Sequence, residues 1–217
     1  MIPSLLVLTA LVLQQAAPAT EPATGPAPTA EASPPATERL REAVAAVDVQ
    51  QLPGLTLTGY EVRGRSARGV RESMNDERPA AEGDDARHDA RTRWSYRPRW
   101  NRTADGQCDA ASATVTLSLT IVLPDLATRE ALSRDERAGW DAYFAALVKH
   151  EWNHGRIAEK GQELMETALR GAPNCEAMTA VVRTYVAEIT AASREYDAQT
   201  EHGRKEGAVF PRGGASR

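Results

Sequence analysis

A long amphipathic pattern in the second half of the chain limits the folds open to it. Ser133 and Glu136 form the S-x-x-E arrangement, in which each side chain satisfies a backbone N–H that the first turn of a helix leaves unpaired. The residues that follow step by four and three, as on the buried face of a helix. They are Trp140, Phe144, Leu147, Glu151, His154, Ala158, Gly161 and Met165. The pattern predicts one long helix that ends near Gly171.

Two residues of this buried face, Glu151 and His154, are polar. Burying an unpaired charge is costly, so a partner must satisfy these groups. The string from His150 to His154 matches H-E-x-x-H, and residues four apart share a helix face, so both imidazoles can reach one zinc ion. Glu151 lies beside that face, within reach of a water on the metal, and is the predicted general base. The alternative is a helix whose buried His and Glu bond each other.

A catalytic zinc site usually has three protein ligands, and the third lies outside this motif. The positions three and six residues after His154 are Ile157 and Lys160, so the extended H-E-x-x-H-x-x-G-x-x-H pattern is absent. A second helix is predicted from about Asn174 to about Gly203, with an apolar stripe of Met178, Val182, Tyr185 and Ile189. Packed antiparallel, its end returns toward the motif. His202 there is a candidate ligand; Asp197, Glu195 and Glu188 are rivals, and a solvated terminal His is the simpler alternative.

The first half of the chain predicts strands and one short helix. Residues 55–62 read as extended, and Ser66 caps a helix through about Met74. Residues 75–89 read as a polar loop, in which His88 is expected to be solvated rather than to bind a metal or substrate.

Two further runs alternate as strands do. Trp94, Tyr96, Pro98 and Trp100 share one parity, and arginines occupy the other. A half-buried strand explains this better than a stacking platform for a nucleic acid or a sugar polymer. Pro98 indicates an edge strand, because it cannot donate to a ladder. The run from Val115 to Leu123 is expected to end at Pro124 and to pair with the Trp94 strand through the loop at 103–109.

The chain ends carry different signals. Residues 1–19 have the apolar run and the A-x-A site of a secretory signal peptide, although no Lys or Arg precedes the run. Residues 20–36 predict a disordered tether rich in Pro, Ala and Thr, residues 37–210 a single domain, and residues 211–217 a disordered tail. We therefore expect a secreted or periplasmic protein without stable membrane insertion after cleavage. The net charge of -4 argues against a nucleic-acid partner.

Cys108 and Cys175 are the two cysteines of the chain. An even count at wide separation in an exported protein favours a disulfide. Metal binding by both thiolates is the alternative, but structural zinc sites usually take cysteines in close pairs.

Several segments together resemble the bacterial family known as domain of unknown function 922, described as predicted secreted zinc-dependent proteases. They are residues 60–64, 92–94, 150–154, 196–197 and 200–203. The resemblance favours His202 as the third zinc ligand and Asp197 as a neighbour that orients an imidazole. Tyr196 is a candidate for stabilising an oxyanion from its residue type alone.

The expected fold is α+β and zincin-like, with a small antiparallel sheet packed on a long active-site helix and a second antiparallel helix. The expected function is a zinc-dependent metallopeptidase that hydrolyses peptide or protein substrates, with Zn²⁺ as cofactor. A non-catalytic zinc-binding or scaffold protein of the cell envelope is the alternative, and loss of cleavage on Glu151→Gln with zinc retained separates the two.

Overall fold

The computed structural model describes residues 34–79 and 88–210. The predicted signal peptide, most of the predicted tether and the predicted tail lie outside these residues. The last residues of the predicted tether belong to the fold, because Pro35 forms a bridge with Thr58 and Ala36 is buried. None of the described helices combines the length and the hydropathy that crossing a membrane requires.

The described residues form an α+β fold with four α-helices and three strands. In chain order these are α1 (Glu38–Ala45), β1 (Leu55–Val62), α2 (Ala67–Glu77), β2 (Arg91–Arg102), β3 (Cys108–Leu126), α3 (Arg134–Arg170) and α4 (Cys175–Thr200). Short 3₁₀ turns occupy Arg129–Ala131 and Arg204–Glu206. The sequence predicted β1 and the two long helices, but it did not predict α1, and it ended α2 three residues early.

The sheet is mixed, so the expectation of an antiparallel sheet is wrong. Its strand order is β1-β3-β2, with β2 antiparallel to β3 and β1 parallel to β3. The chain leaves β1, passes through α2, enters the sheet again at the edge as β2, and returns through a hairpin into the centre as β3. Strand β2 runs opposite to β1, and the hairpin after β2 reverses the chain again. Strand β3 therefore runs in the same direction as β1. The predicted pairing of β2 with β3 and the edge position of β2 are confirmed.

The predicted end of β3 at Pro124 is also wrong, because the strand continues to Leu126. Pairing with β2 stops at Val122, so at Pro124 the remaining ladder is the one with β1. Pro124 has no backbone N–H to donate. This loss costs the strand little on the side where pairing with β2 has already ended.

Caps define where the two long helices begin. The capping box predicted at Ser133 and Glu136 is present at the start of α3. A second oxygen of Glu136 accepts a hydrogen bond from the backbone N–H of Ala67 at 2.9 Å, which joins the first turns of α2 and α3. Asn174 caps α4 by accepting from the Ala177 N–H at 2.9 Å. The two long helices therefore start and stop close to their predicted positions.

The sheet packs on α3 through the central strand. Leu119, Ile121 and Leu123 of β3 are buried in the main core. The hydroxyl of Tyr96 donates to the backbone carbonyl of Ala158 at 2.8 Å, which holds β2 against the middle of α3. Gly155 of α3 leaves room for the side chain of Leu52, whose Cδ1 atom would lie 2.6 Å from a Cβ at this position. The sheet thus lies directly over the segment that contains the H-E-x-x-H motif.

A disulfide joins Cys108 and Cys175, as predicted. It links the first residue of β3 to the first residue of α4. Beside it, a second apolar cluster of Met165, Leu169, Met178 and Ile189 packs α3 against α4. The disulfide and this cluster hold α4 alongside α3.

Candidate metal centre

The H-E-x-x-H motif lies in the middle of α3, and all three of its functional residues are buried. His150, Glu151 and His154 are 3%, 5% and 6% exposed. The two imidazoles meet edge to face, with ring centroids 4.8 Å apart. Their Nε2 atoms lie 3.3 Å from each other. The one-turn spacing therefore brings two ligand atoms together, as the sequence predicted.

Asp197 of α4 completes the group. Its Oδ1 atom lies 3.2 Å from His150 Nε2 and 3.1 Å from His154 Nε2. Among the described residues, His150, His154 and Asp197 are the group of His, Cys, Asp and Glu side chains whose ligand atoms converge in this way. The antiparallel packing of α4 on α3 brings Asp197 to this position, near the C-terminal end of α4.

The separations of these three atoms are hydrogen-bond distances, and they are also compatible with a metal site. Atoms bound at ~2.0–2.1 Å around a tetrahedral zinc ion lie ~3.3 Å from each other, as the edges of the tetrahedron. The three observed separations, 3.1, 3.2 and 3.3 Å, are close to that value. Two imidazole nitrogens and one carboxylate oxygen are also the donor types that zinc takes in catalytic sites.

Both imidazoles are held from behind by hydrogen bonds at Nδ1. His150 Nδ1 lies 2.8 Å from Glu206 Oε2, and His154 Nδ1 lies 2.8 Å from Ser193 Oγ. Tyr196 stacks on the His150 ring at a centroid distance of 5.0 Å. Each ring is therefore fixed on its outer side, with its Nε2 atom directed toward Asp197.

The Tyr196 hydroxyl is already engaged. It donates to Glu206, with Oε1 at 2.7 Å, and accepts from Asn153 Nδ2 at 2.8 Å. Burial, and then the negative charge of Glu206, raise the pKa of Tyr196 well above its usual value. The predicted oxyanion role stays a prediction, and it requires the bond to Glu206 to break.

Glu151 bonds Thr92 of β2, and no hydrogen bond to a histidine is seen for it among the described residues. Thr92 Oγ1 lies 2.7 Å from Glu151 Oε2 and 3.0 Å from the Glu151 backbone oxygen. Burial raises the pKa of Glu151, against the opposing effects of the Thr92 hydrogen bond and the two imidazoles. A raised pKa favours proton exchange near neutral pH, which a general base requires.

Electrostatic coupling links the converging groups. Burial opposes charge on His150, but hydrogen bonds to Asp197 and Glu206 outweigh it and raise the pKa of His150. Burial likewise opposes charge on Asp197, but the hydrogen bonds from His150 and His154 hold its pKa well below the usual range. The site therefore favours an ionised carboxylate facing positive charge.

His202 lies at the rim of the site. Its side chain is 59% exposed, and Nδ1 is 3.5 Å from Asp197 Oδ1. Its ring is 4.8 Å from that of His88 between centroids. The structure thus places His202 next to the third member of the converging group, and its predicted role as a ligand stays a prediction. Glu188 and Glu195, the other rivals, are exposed on α4 and do not join the group.

A cleft of about 1090 Å³ opens over these groups. One wall is residues 91–96 of β2, and the opposite wall is the face of α4 that includes Val186 and Asp197. All four histidines of the chain line it. His88, expected to be solvated, thus lies in the cleft against His202.

A family model described as "Bacterial protein of unknown function (DUF922)" matches residues 57–203. The chain belongs to this family. The DUF922 match includes the H-E-x-x-H motif, Asp197 and His202. No curated protein and no solved structure gave a significant match.

Three contacts of this DUF922 site were not predicted from sequence: those of Thr92, Ser193 and Glu206. Ser193 precedes Asp197 by four residues, so a shared face of the second helix was a readable signal. Thr92 lies in a strand that was interpreted only from its alternating arginines and aromatic residues. Glu206 lies after Gly203, where the sequence predicted only the end of a helix. The roles of Thr92 and Glu206 depend on packing between elements, which no local pattern encodes.

Proposed function

We propose that this chain is a secreted or periplasmic zinc-dependent metallopeptidase, with His150, His154 and Asp197 as ligands and Glu151 as general base. The observation that carries the proposal is the convergence of three ligand atoms at tetrahedral spacing beside a buried glutamate. A purely structural metal site has no use for that glutamate.

The chemistry divides between the metal and the chain. A bound zinc ion supplies Lewis-acid polarisation of a carbonyl group and makes water more acidic. Glu151 accepts a proton from the attacking water and later donates it to the leaving amine. Thr92 holds the Glu151 carboxylate by the 2.7 Å hydrogen bond, which keeps the base in one orientation.

The substrate is proposed to be an extended peptide that lies in the cleft along β2. Among the described residues β2 is an edge strand paired with β3, the position at which strand addition places a substrate backbone. Residues 91–96 of that strand line the cleft. The position of this sheet edge over the helix with the H-E-x-x-H motif also supports the proposal of a zincin-like fold.

Two observations support the proposed compartment. Disulfides persist in oxidising compartments, and Cys108 and Cys175 form one. The signal-peptide pattern in residues 1–19 agrees with export.

Zinc content per chain, measured by elemental mass spectrometry, tests the metal site. We expect about one zinc in the parent, by the ligand count of a catalytic site. His154→Ala and Asp197→Ala should lose most of it. His88→Ala is the matched control, an imidazole of the same cleft outside the converging group, and should retain it.

The outcomes assign the third ligand. Retention in Asp197→Ala with loss in His202→Ala moves the third ligand to His202. A parent without zinc after refolding in its presence contradicts the metallopeptidase.

Glu151→Gln separates a catalytic from a non-catalytic zinc protein. The amide keeps the shape and a hydrogen-bond acceptor for Thr92 but cannot take a proton. We expect zinc to be retained and cleavage of a quenched peptide library to fall by about 100-fold or more. Unchanged cleavage by the variant contradicts the role of Glu151. Absence of cleavage in a zinc-loaded parent favours a non-catalytic envelope protein.

A further inference from the structure

The outer nitrogens of the two motif histidines have different partners. His150 Nδ1 faces a carboxylate, Glu206, and His154 Nδ1 faces a hydroxyl, Ser193, each at 2.8 Å. Neither partner belongs to the converging group. Glu206 also lies beyond the residues matched by the family model, which end at 203.

The contact with Glu206 sets the tautomer of His150. Glu206 and Asp197 are both carboxylates and offer only acceptors, so without a metal a protonated His150 ring donates from Nδ1 to Glu206 at 2.8 Å and from Nε2 to Asp197 Oδ1 at 3.2 Å. If a metal ion takes the place of the proton on Nε2, the remaining proton stays on Nδ1, in the hydrogen bond to Glu206. The outer contact thereby prepares the inner nitrogen to bind a cation.

The backbone makes an uncommon turn to bring Glu206 to this position. Glu201, His202 and Gly203 are all left-handed, with φ of 53°, 53° and 78°. Non-glycine residues rarely adopt that region, and such outliers persist only where surrounding structure enforces them. A Cβ at Gly203 would lie 2.9 Å from His150 Cγ, so the chain passes directly against the ring. The next 3₁₀ turn ends at Glu206.

Ser193 reaches His154 by a simpler route. It lies four residues before Asp197 on α4, so one helix face presents both the ligand and the hydroxyl. Ser193 is buried, 6% exposed, and its Oγ has His154 Nδ1 within 2.8 Å.

We infer that Glu206 and Ser193 are positioning residues, which hold His150 and His154 with the proton on Nδ1 and the free Nε2 toward the metal. This inference rests on the metal site of the proposed function. The Glu206 carboxylate in addition makes the His150 imidazole more basic, and so a stronger ligand. Tyr196 supports it by donating to the other oxygen of Glu206 at 2.7 Å.

Zinc affinity, measured by competition with a coloured chelator, tests this inference with four variants. Glu206→Ala and Ser193→Ala should each weaken binding ~10- to 100-fold, the usual effect of removing such a partner. Glu206→Gln should recover most of the loss, because its amide oxygen still accepts from Nδ1. Glu163→Ala, which removes an exposed carboxylate paired with Lys160 on α3, is the control and should match the parent.

Nitrogen NMR of the imidazole rings reports the protonation of each Nδ1 atom, a quantity that a merely structural role of Glu206 or Ser193 would not change. In the zinc-loaded parent, both motif histidines should show protonated Nδ1 atoms in hydrogen bonds. Glu206→Ala should change the Nδ1 signal of His150 and leave that of His154, and Ser193→Ala should do the reverse.

The failures are distinguishable. In one outcome, the parent protein binds zinc while Glu206→Ala and Ser193→Ala have the same zinc affinity as Glu163→Ala. That result overturns the positioning roles and leaves the metal site in place. A parent that binds no zinc overturns the metal site, and the positioning roles with it. Ser193→Ala removes a single oxygen and carries the test independently if Glu206→Ala fails to fold.

Discussion

At the scale of single residues, Asp89 joins three elements. Its carboxylate accepts from Arg71 Nη1 at 2.8 Å and from the Tyr143 hydroxyl at 2.7 Å. Arg78 Nη1 lies 3.2 Å away, and the Tyr60 hydroxyl donates to the Asp89 backbone oxygen at 2.7 Å. Burial raises the pKa of both tyrosines, so they remain neutral donors. The network connects α2, β1 and α3 at one end of the cleft.

Replacing Asp89 with Asn should lower the free energy of unfolding by ~3 kcal/mol, because the largely buried guanidinium groups of Arg71 and Arg78 both lose an ion pair with Asp89. The side chains of Asp89, Arg71 and Arg78 are only 19%, 30% and 20% exposed. Urea denaturation of parent and variant measures the difference.

Asp141→Asn is the matched control for that experiment. Its pair with Arg129 is more open, with side chains 45% and 39% exposed, and exposed pairs contribute about 1 kcal/mol or less. Equal losses in the two variants would show that Asp89 acts as an ordinary surface charge.

Single residues also show how far sequence reasoning reached. His150, Glu151 and His154 were predicted because a spacing of four on a helix forces them onto one side of it. Asp89 was read as part of a polar loop, because its partners come from distant parts of the chain. Whether Asp197 or His202 completes the site depends on packing, and both fit the sequence.

At the scale of elements, Gly161 lies at a close contact between the two long helices. A Cβ there would lie 2.3 Å from Ile189 Cδ1 and 2.4 Å from Cγ1. Ile189 is buried, so it has little space to move aside. The absence of a side chain at Gly161 lets α4 approach α3 and carry Asp197 toward the motif.

Gly161→Ala should therefore destabilise the fold. Overpacking costs ~1–3 kcal/mol, against a gain of about 1 kcal/mol from the better helix propensity of alanine. Thermal unfolding followed by circular dichroism measures the balance. We also expect weaker zinc binding, because α4 must move away from α3.

Gly69→Ala is the control for this helix contact. At Gly69 of α2 a Cβ would meet nothing nearer than 3.6 Å. Its expected effect is neutral or stabilising by up to about 1 kcal/mol. A gain in stability at both positions would contradict the close approach of the helices.

The elements themselves were largely predictable, and their arrangement was less so. Capping signals at Ser66, Ser133 and Asn174 act within one turn, so helix starts are readable from sequence. The parallel pairing of β1 with β3 depends on where β2 enters the sheet. The position at which β2 enters the sheet depends on how α2 and α3 pack, and no residue in β1 encodes it.

At the scale of the whole molecule, the disulfide closes a loop that contains all of α3. Cys108 and Cys175 are separated by 67 residues. Cross-linking a loop of this size contributes about 4 kcal/mol if the effect is entropic. The bond also holds the start of α4 beside the sheet, at the opposite end of that helix from Asp197.

Reduction of the parent should lower its free energy of unfolding by about 4 kcal/mol by that loop-closure argument. Denaturant titrations with and without reductant measure the loss. The Cys108→Ala/Cys175→Ala double variant is the control: it should behave as the reduced parent and show no response to reductant. A response in the double variant would point to another cause.

Local sequence was sufficient for the starts of α2, α3 and α4, the motif on one helix face, the edge position of β2 and the cysteine pair. Each of these follows from interactions over a few residues or from residue type and count. Tertiary structure alone decided that Asp197 meets both Nε2 atoms, that Glu206 and Ser193 hold the outer nitrogens, and that β1 runs parallel to β3. Those outcomes depend on the distance and angle at which α4 packs on α3, and on the left-handed turn at residues 201–203, where side chains far apart in sequence must fit together.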